Sequence, residues 1–255
     1  MKLKAFIILF SIFYINSFHI RESDDNILWV NIPVEVNDIK QFLTSDLQPS
    51  IFNEKAWISV MLFNINSIKT NVSGFWVEVP MTTGLTTKIS LLVETAKGEI
   101  GYLILSMDFD SGFIGTLKAL GCSKTEIGVI CEVCKSLNLD HSNTTWVSKH
   151  GHMLTAAYNV NESKYENLDF AKFIAYRPYK FEKDSNSKTY FYKQTGKDSK
   201  RNFEFKSLNM TNIQSNILTK RFGLLSKYEE NLCKDNICFW SNYLVFEDDG
   251  AVEYK

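Results

Sequence analysis

The sequence predicts an α+β protein dominated by one large antiparallel sheet that closes into a barrel, with two or three short flanking helices. Of the 255 residues, 45% are hydrophobic and 14% are aromatic, which favours β structure around a full core. Apolar runs of strand length recur along the chain. The run at 102–108 is apolar on both faces, which is typical of a central strand buried on both sides.

Strict alternation assigns the side chains of this central strand to two faces. One face receives Leu103, Leu105, Met107 and Phe109, and the other receives Tyr102, Ile104, Ser106 and Asp108. The preceding apolar run, 88–94, is the hairpin partner, and residues 95–98 form the turn between them. This hairpin is the predicted middle of the sheet.

Before the hairpin, three strands and one helix are expected. The strands lie at 27–32, 57–65 and 75–79, and apolar residues at helical spacing predict a short helix within 34–43. After the hairpin, a helix is expected at 112–120, ending where Gly121 suits a left-handed C′ position. Further strands are predicted at 125–133, 146–160, 168–179, 190–192, 203–205, 221–225 and 238–246, with a helical turn at 213–218. No linker divides the chain, so a single domain is expected.

The N-terminus has the pattern of a secretory signal peptide. Lys2 and Lys4 precede an apolar stretch at 5–14, which is too short to span a bilayer core of roughly 30 Å. Ser17 is a small residue at a suitable cleavage position. We therefore expect a signal peptide at 1–17, a mature domain at 18–255, a secreted or lumenal location and no later membrane span. The alternative is an N-terminal membrane anchor.

Two further features fit the secretory pathway. N-glycosylation sequons begin at Asn71, Asn143, Asn161 and Asn209. The five cysteines allow two disulfides and one free thiol.

Disulfides are the default for cysteines in a secreted chain. We predict a bridge between Cys233 and Cys238, and a second that joins Cys122 to Cys131 or Cys134. The alternative is a four-thiolate zinc site built from Cys131, Cys134, Cys233 and Cys238, with His150 and His152 as further ligands. The secretory location favours the disulfides, so neither a metal nor a cofactor is expected.

Three short motifs resemble one known family. They are WISVMLF at 57–63, the GEIG and LSMD elements at 98–101 and 105–108, and LTKRF at 218–222. Their order is similar to that in the YqjF-like family of uncharacterised proteins, which has the acetoacetate decarboxylase-like fold. The resemblance implies a closed β-cone or barrel around a small pocket. It also implies a mechanism, because acetoacetate decarboxylase uses a buried lysine to form a Schiff base with a β-keto acid.

The sequence departs from this family at two polar positions. Leu91 stands where the family has an arginine, and the family's late His-Pro-Pro-Trp element corresponds to residues 237–240, which keep the tryptophan and lack the histidine. Both differences remove polar groups that catalysis would use.

Lys88 is the candidate nucleophile because it lies near the place of the decarboxylase lysine, and the alternative is an exposed lysine at a strand end. Ser106 and Asp108 are candidate pocket groups for a carbonyl or carboxylate ligand, and the alternative is an Asx turn at the end of the strand. Glu78 and Arg221 are expected to face the same cavity. They form either a ligand site or a structural arginine–carboxylate pair.

A net charge of −1 gives no electrostatic case for nucleic acid binding. Complete apolar strands without the family's polar groups favour a secreted barrel that binds a small apolar or carboxylate ligand without turnover. Two alternatives remain open. One is a lyase or hydrolase that acts on a small keto acid through a Schiff-base lysine, and the other is a secreted glycoprotein scaffold for interactions.

Overall fold

The computed structural model of the chain describes residues 20–72, 75–79, 83–110, 130–183, 189–193, 204–230, 232–234, 237–248 and 252–253. The predicted signal peptide at 1–17, the predicted helix at 112–120 and Cys122 lie outside the described residues. Within the described ranges, no helix combines the length and the apolar character that a bilayer crossing requires.

The described strands follow the chain from one end to the other. They are β1 (Ile20–Val34), β2 (Leu47–Pro49), β3 (Ala56–Val72), β4 (Phe75–Glu78), β5 (Gly84–Thr95), β6 (Ile100–Phe109), β7 (Ile130–Val133), β8 (Ser136–Leu139), β9 (Asn143–Val147), β10 (Met153–Lys164), β11 (Tyr179–Lys183), β12 (Thr189–Lys193), β13 (Phe205–Ser215), β14 (Phe239–Asp248) and β15 (Val252–Glu253). The helices are α1 (Val36–Ile39), α2 (Leu168–Ala175) and α3 (Ile217–Phe222), with 3₁₀ turns at Lys40–Phe42 and Ser226–Tyr228.

All of these strands belong to one 15-stranded sheet. Its order is β15-β12-β11-β6-β5-β3-β1-β14-β13-β10-β9-β8, with β2 on β5, β4 on β3 and β7 on β6. The sheet is strongly curled into a half-barrel, which confirms the predicted β-dominated α+β class. The central hairpin of β5 and β6 is also confirmed. Only the pairings of β6 with β7 and β11 are parallel among those described.

The strand predicted at 168–179 is wrong, because residues 168–175 form α2. Asn167 caps this helix by accepting a hydrogen bond from the backbone N–H of Phe170. Phe170, Ala171 and Ile174 are buried at helical spacing, and they pack against the sheet. The run at 146–160 also differs from the prediction, since a turn at residues 148–152 separates β9 from β10.

The sheet is buried on both faces, and we name each face after the helix that packs on it. The α3 face includes Leu28, Val30, Ile58, Leu91, Leu103, Trp146, Trp240, Leu218 and Phe222. The α2 face includes Trp29, Met61, Phe63, Tyr102, Ile104, Phe170, Ile174 and Phe239.

A β-bulge in β6 decides which face each side chain of the central strand reaches. Ile89 pairs with Ser106 and Ser90 pairs with Ile104, so Leu105 is an extra residue in β6. As a result Met107 packs on the α2 face together with Tyr102, whereas strict alternation predicted opposite faces for these two. The bulge therefore moves Ser106 and Asp108 to the α3 face.

Candidate active site

Lys88 lies at the centre of the α2 face. On β5 it pairs with Met61 of β3 and Met107 of β6, and both methionines belong to this face. The Lys88 Nζ atom lies 5.4 Å from the ring centre of Phe63 and 5.6 Å from that of Tyr102. Only 6% of Lys88 is exposed. Its amine is therefore held in a largely apolar, aromatic environment in the middle of the sheet.

Asp24 supplies a buried acid on the same face, where its charge interacts with that of the Lys88 amine. It lies on β1, between two irregularities in the register with β3, and it is completely buried. Burial and the charge of Glu22 raise the pKa of Asp24 well above its usual range, while the positive charge of Lys88 opposes the rise. Among the described residues, no donor reaches the ionised Asp24 carboxylate, while a side-chain hydrogen bond with Glu22 adds to the rise of the Asp24 pKa. Asp24 thus keeps its proton to a higher pH than an ordinary aspartate.

Hydroxyl groups flank Lys88 along β5. Thr86 and Ser90 lie two residues to either side, so their side chains share the α2 face with Lys88. Both hydroxyls are buried, and neither has a hydrogen-bond partner among the described residues. Buried polar groups in folded proteins are nearly always hydrogen-bonded. These two hydroxyls are therefore available to bind polar atoms of a substrate or water.

The group of Lys88, Asp24, Thr86 and Ser90 has the components of carbonyl chemistry. A lysine amine attacks a carbonyl carbon when it is neutral, and a proton donor nearby assists the departure of water. The apolar rings around the amine limit its contact with bulk water. We call these four residues the lysine site.

The other predicted site residues lie on the opposite face of the sheet. Arg221 of α3 donates two hydrogen bonds to the carboxylate of Asp108, with lengths of 2.8 and 2.9 Å. Its Nη2 atom also lies 3.4 Å from Glu132 Oε2, and its guanidinium lies over the Trp146 ring at 5.7 Å. Burial raises the pKa of Asp108, and the hydrogen bonds from Arg221 oppose the rise. This arrangement is a buried ion-pair network.

Ser106 and Glu78 are the two remaining predicted site residues, and in the part of the chain that the structure describes neither belongs to the lysine site or to the ion-pair network of Arg221. Ser106 is buried on the α3 face, since it pairs with Ile89. Glu78 is exposed on β4, where it pairs in register with Lys69. The carboxylates that contact Arg221 are those of Asp108 and Glu132. The structure therefore does not place the predicted residues in one cavity.

The cysteines do not form a common centre. Cys233 and Cys238 form the predicted disulfide, with a Cα–Cα distance of 5.0 Å. Cys131 is also disulfide-bonded. Cys134 is a buried thiol that donates to the Phe109 carbonyl, and burial raises its pKa to about 12. In the described part of the chain, no three histidine, cysteine or acidic side chains are grouped to hold a metal ion.

The sequence reasoning missed Thr86, Ser90 and, with most effect on the chemistry, the acid Asp24. It lies in the polar run ESDDN at 22–26, which precedes the first predicted strand. The only signal was its position, three residues before an apolar run of strand length. Extending that strand towards the N-terminus would have placed Glu22 and Asp24 on one face.

Comparison with solved structures identifies the architecture. An acetoacetate decarboxylase-like enzyme from Sphingomonas wittichii RW1 matches with a TM-score of 0.57 and 9% identity, over 94% of both chains. The enduracididine biosynthesis enzyme MppR, in complex with pyruvate, matches with a TM-score of 0.54 and 9% identity, over 94% of this chain and 91% of that one. Acetoacetate decarboxylase matches with a TM-score of 0.53 and 11% identity, over 91% and 89%.

The fold is that of the acetoacetate decarboxylase-like enzymes. No protein-family model and no curated protein matches the sequence, so the likeness is one of fold.

These comparisons correct the main functional prediction. The sequence analysis favoured a binding barrel without turnover, because polar groups of the resembled family are absent. That prediction is wrong, since the solved proteins that share this fold over most of their length are enzymes. The prediction failed because it looked for polar groups at the family's positions. It did not find the buried Asp24 on the face of Lys88.

Proposed function

We propose that the chain is a lyase that acts on a small keto acid through a Schiff base on Lys88, with Asp24 as the proton donor. The observation that carries the proposal is that a buried lysine and a buried, proton-retaining carboxyl group lie on one face of the sheet and interact electrostatically. The fold alone would not support it, because one fold serves many activities. The solved MppR complex with pyruvate shows that a protein of this fold binds a small keto acid.

The proposed reaction uses Lys88 as the nucleophile and Asp24 as the proton donor. The neutral amine of Lys88 adds to the keto carbon, and the resulting hydroxyl leaves as water after it accepts the Asp24 proton. The protonated imine then accepts the electron pair of a breaking bond on the neighbouring carbon, and in a β-keto acid that bond leads to the carboxylate, which departs as carbon dioxide. A solvent proton adds to the enamine carbon, and addition of water to the resulting imine releases the product, restores the amine and returns a proton to Asp24.

The protonation state of Asp24 also affects how well the site binds a negatively charged substrate. An ionised Asp24 would repel the carboxylate of a keto acid in a buried site of low dielectric constant. Because its pKa is raised, Asp24 is neutral over a wider pH range, and the repulsion is correspondingly smaller. Lys88 and Asp24 therefore suit an anionic substrate better than two ordinary side chains would.

We also propose kinship with the YqjF-like family. Its support is a contact between two of the motifs that carry the resemblance. Arg221 belongs to LTKRF, Asp108 belongs to LSMD, and the two side chains form the bidentate ion pair on the α3 face. A pair of this kind gives both motifs a structural reason to occur together in one chain.

Reductive trapping tests the proposed function. The protein is incubated with acetoacetate or pyruvate and then with borohydride, and the modified peptide is located by mass spectrometry. We expect an adduct on Lys88 in the native chain and none on that peptide in Lys88→Gln. Lys97→Gln, in the exposed turn of the same hairpin, should trap like the native chain.

The same assay distinguishes the role of Asp24 as a proton donor from that of Lys88 as the nucleophile. Replacement of a general acid typically costs about 100-fold or more, so Asp24→Asn should slow trapping by that order while Lys88 stays the modified residue. Circular dichroism establishes that each variant is folded. An adduct confined to other lysines, or no adduct with either keto acid, would refute the Schiff-base mechanism.

A further inference from the structure

A cavity of about 290 Å³ lies on the α3 face, across the sheet from the lysine site. It lies beside the bulge of β6, where Leu105 forms part of its wall, and the aromatic rings of Phe42 and Phe222 form another part. These rings meet edge to face, with 5.7 Å between their centres. The volume is near the lower end of the range for small-molecule pockets, which is about 300–1,000 Å³. The cavity therefore suits a small ligand with an apolar body.

The polar groups of this cavity are cationic or neutral. They are Gln41, Lys183 and Arg221. No carboxylate side chain among the described residues lines the cavity. The hydrogen bonds that Arg221 makes to Asp108 use two of its five N–H groups. The lining therefore favours an anion over a cation.

The side-chain charge of Lys183 is the feature of the cavity that points to a ligand. It ends β11 and is half-buried, and its side-chain amine has no ion pair or hydrogen bond with another described residue. Arg221, in contrast, is already neutralised by Asp108 and Glu132. Among the described residues, the amine of Lys183 thus lies beside an apolar wall without a carboxylate partner, which suits a ligand with one negative charge.

We propose that this cavity binds a small monocarboxylate with an apolar tail. The carboxylate pairs with the Lys183 amine and accepts a hydrogen bond from the Gln41 amide, while the tail lies between Phe42, Leu105 and Phe222. The site is separate from the lysine site because β6 stands between them. It does not depend on the proposed lyase activity.

Calorimetric titration with hexanoate, and with the uncharged hexanamide as its isostere, tests the site. We expect hexanoate to bind the native chain and hexanamide to bind more weakly. Because Lys183→Gln removes the charge that strengthens the hydrogen bond to the carboxylate, it should weaken hexanoate binding by about tenfold or more. Lys180→Gln is the matched control, because Lys180 lies on the same strand and pairs with Glu182.

Lys88→Gln separates the two sites, and it should bind hexanoate like the native chain. Loss of binding in Lys88→Gln would place the ligand in the lysine site and overturn the proposal. Equal affinities for hexanoate and hexanamide, an unchanged affinity in Lys183→Gln, or no binding at millimolar hexanoate would overturn it too.

Discussion

Asp24 and Lys88 show how much the meaning of a residue depends on its surroundings. Their sequence neighbours are polar or β-branched, and both look like solvated side chains on their own. In the structure Asp24 is fully buried and Lys88 nearly so. A buried carboxyl group resists ionisation because its charged form loses hydration. The site is therefore defined by burial, which depends on strands that are distant in the sequence.

The raised pKa of Asp24 predicts a pH-dependent effect on stability. Because the folded-state pKa lies above the unfolded one, the contribution of Asp24 is fully present below the unfolded pKa of about 3.9. It is lost as the pH rises through the folded-state pKa. Asn mimics the protonated form at every pH, so Asp24→Asn should be more stable than the native chain at pH 7 and similar near pH 4.

Thermal unfolding between pH 4 and pH 8 measures this difference. The control is Asp140→Asn, because hydrogen bonds from Ser142 and Asn143 lower the pKa of the Asp140 carboxyl group. That variant should not gain stability with rising pH relative to the native chain. A destabilised Asp24→Asn at pH 7 would show that the attraction of Lys88 for the ionised Asp24 outweighs the cost of burying that charge.

At the scale of elements, most strands follow from the sequence, while the faces of the central strand do not. Apolar runs with turn residues at their ends locate β1, β3, β5 and β6, because burial and chain reversal leave a local pattern. The bulge at Leu105 leaves no such pattern. Alternation carried through it places Asp108 on the wrong face, where no pairing with Arg221 would be possible. The helix α2 was missed for a similar reason, since its aromatic residues also suit a strand.

Gly101 provides a prediction about the pairing of β6 with β11. A Cβ atom at this position would lie 2.4 Å from the Tyr179 carbonyl oxygen, which belongs to the paired strand. Gly101→Ala should therefore force the strands apart and cost about 3 kcal/mol, the upper end for overpacking. Urea denaturation measures the loss.

Gly98→Ala is the control for this experiment. Gly98 has a φ of +79°, with nothing within 4 Å of an added Cβ, so only the backbone strain of about 1 kcal/mol applies. Equal losses in the two variants would mean that the contact with Tyr179 does not limit the packing of β6.

At the scale of the whole molecule, the single curled sheet was predictable, but its order was not. The fold class follows from composition and from the repeated apolar runs. The order depends on pairings such as β1 with β14 and β6 with β11, which join distant segments. No local residue pattern specifies them. The predicted site residues also do not form one site, because they lie on both faces of the sheet and at its surface.

The secretory location remains a prediction, and the sequons offer a test of it. Asn161 and Asn209 are exposed on β10 and β13. The Asn143 side-chain amide instead donates a hydrogen bond to Asp140, at 2.9 Å. We therefore expect glycans on Asn161 and Asn209 and none on Asn143 when the full chain is made in secretory cells.

Deglycosylation followed by mass spectrometry measures site occupancy. Asn161→Gln and Asn209→Gln should each remove one glycan, while Asn143→Gln should leave the mass of the glycans unchanged. A chain that stays inside the cell without any glycan would contradict the predicted location.

The pairing of β1 with both β3 and β14 has a consequence for how the protein is made. Trp29 pairs with Met61 on one side and with Phe239 on the other. On the ribosome, the first partner is available early, but the second emerges only after residues 62–238 have been made. Until then, the apolar edge of β1 is open to pairing with another nascent chain. Synthesis of this protein therefore creates a prolonged need for chaperone protection, which ends when β14 is added.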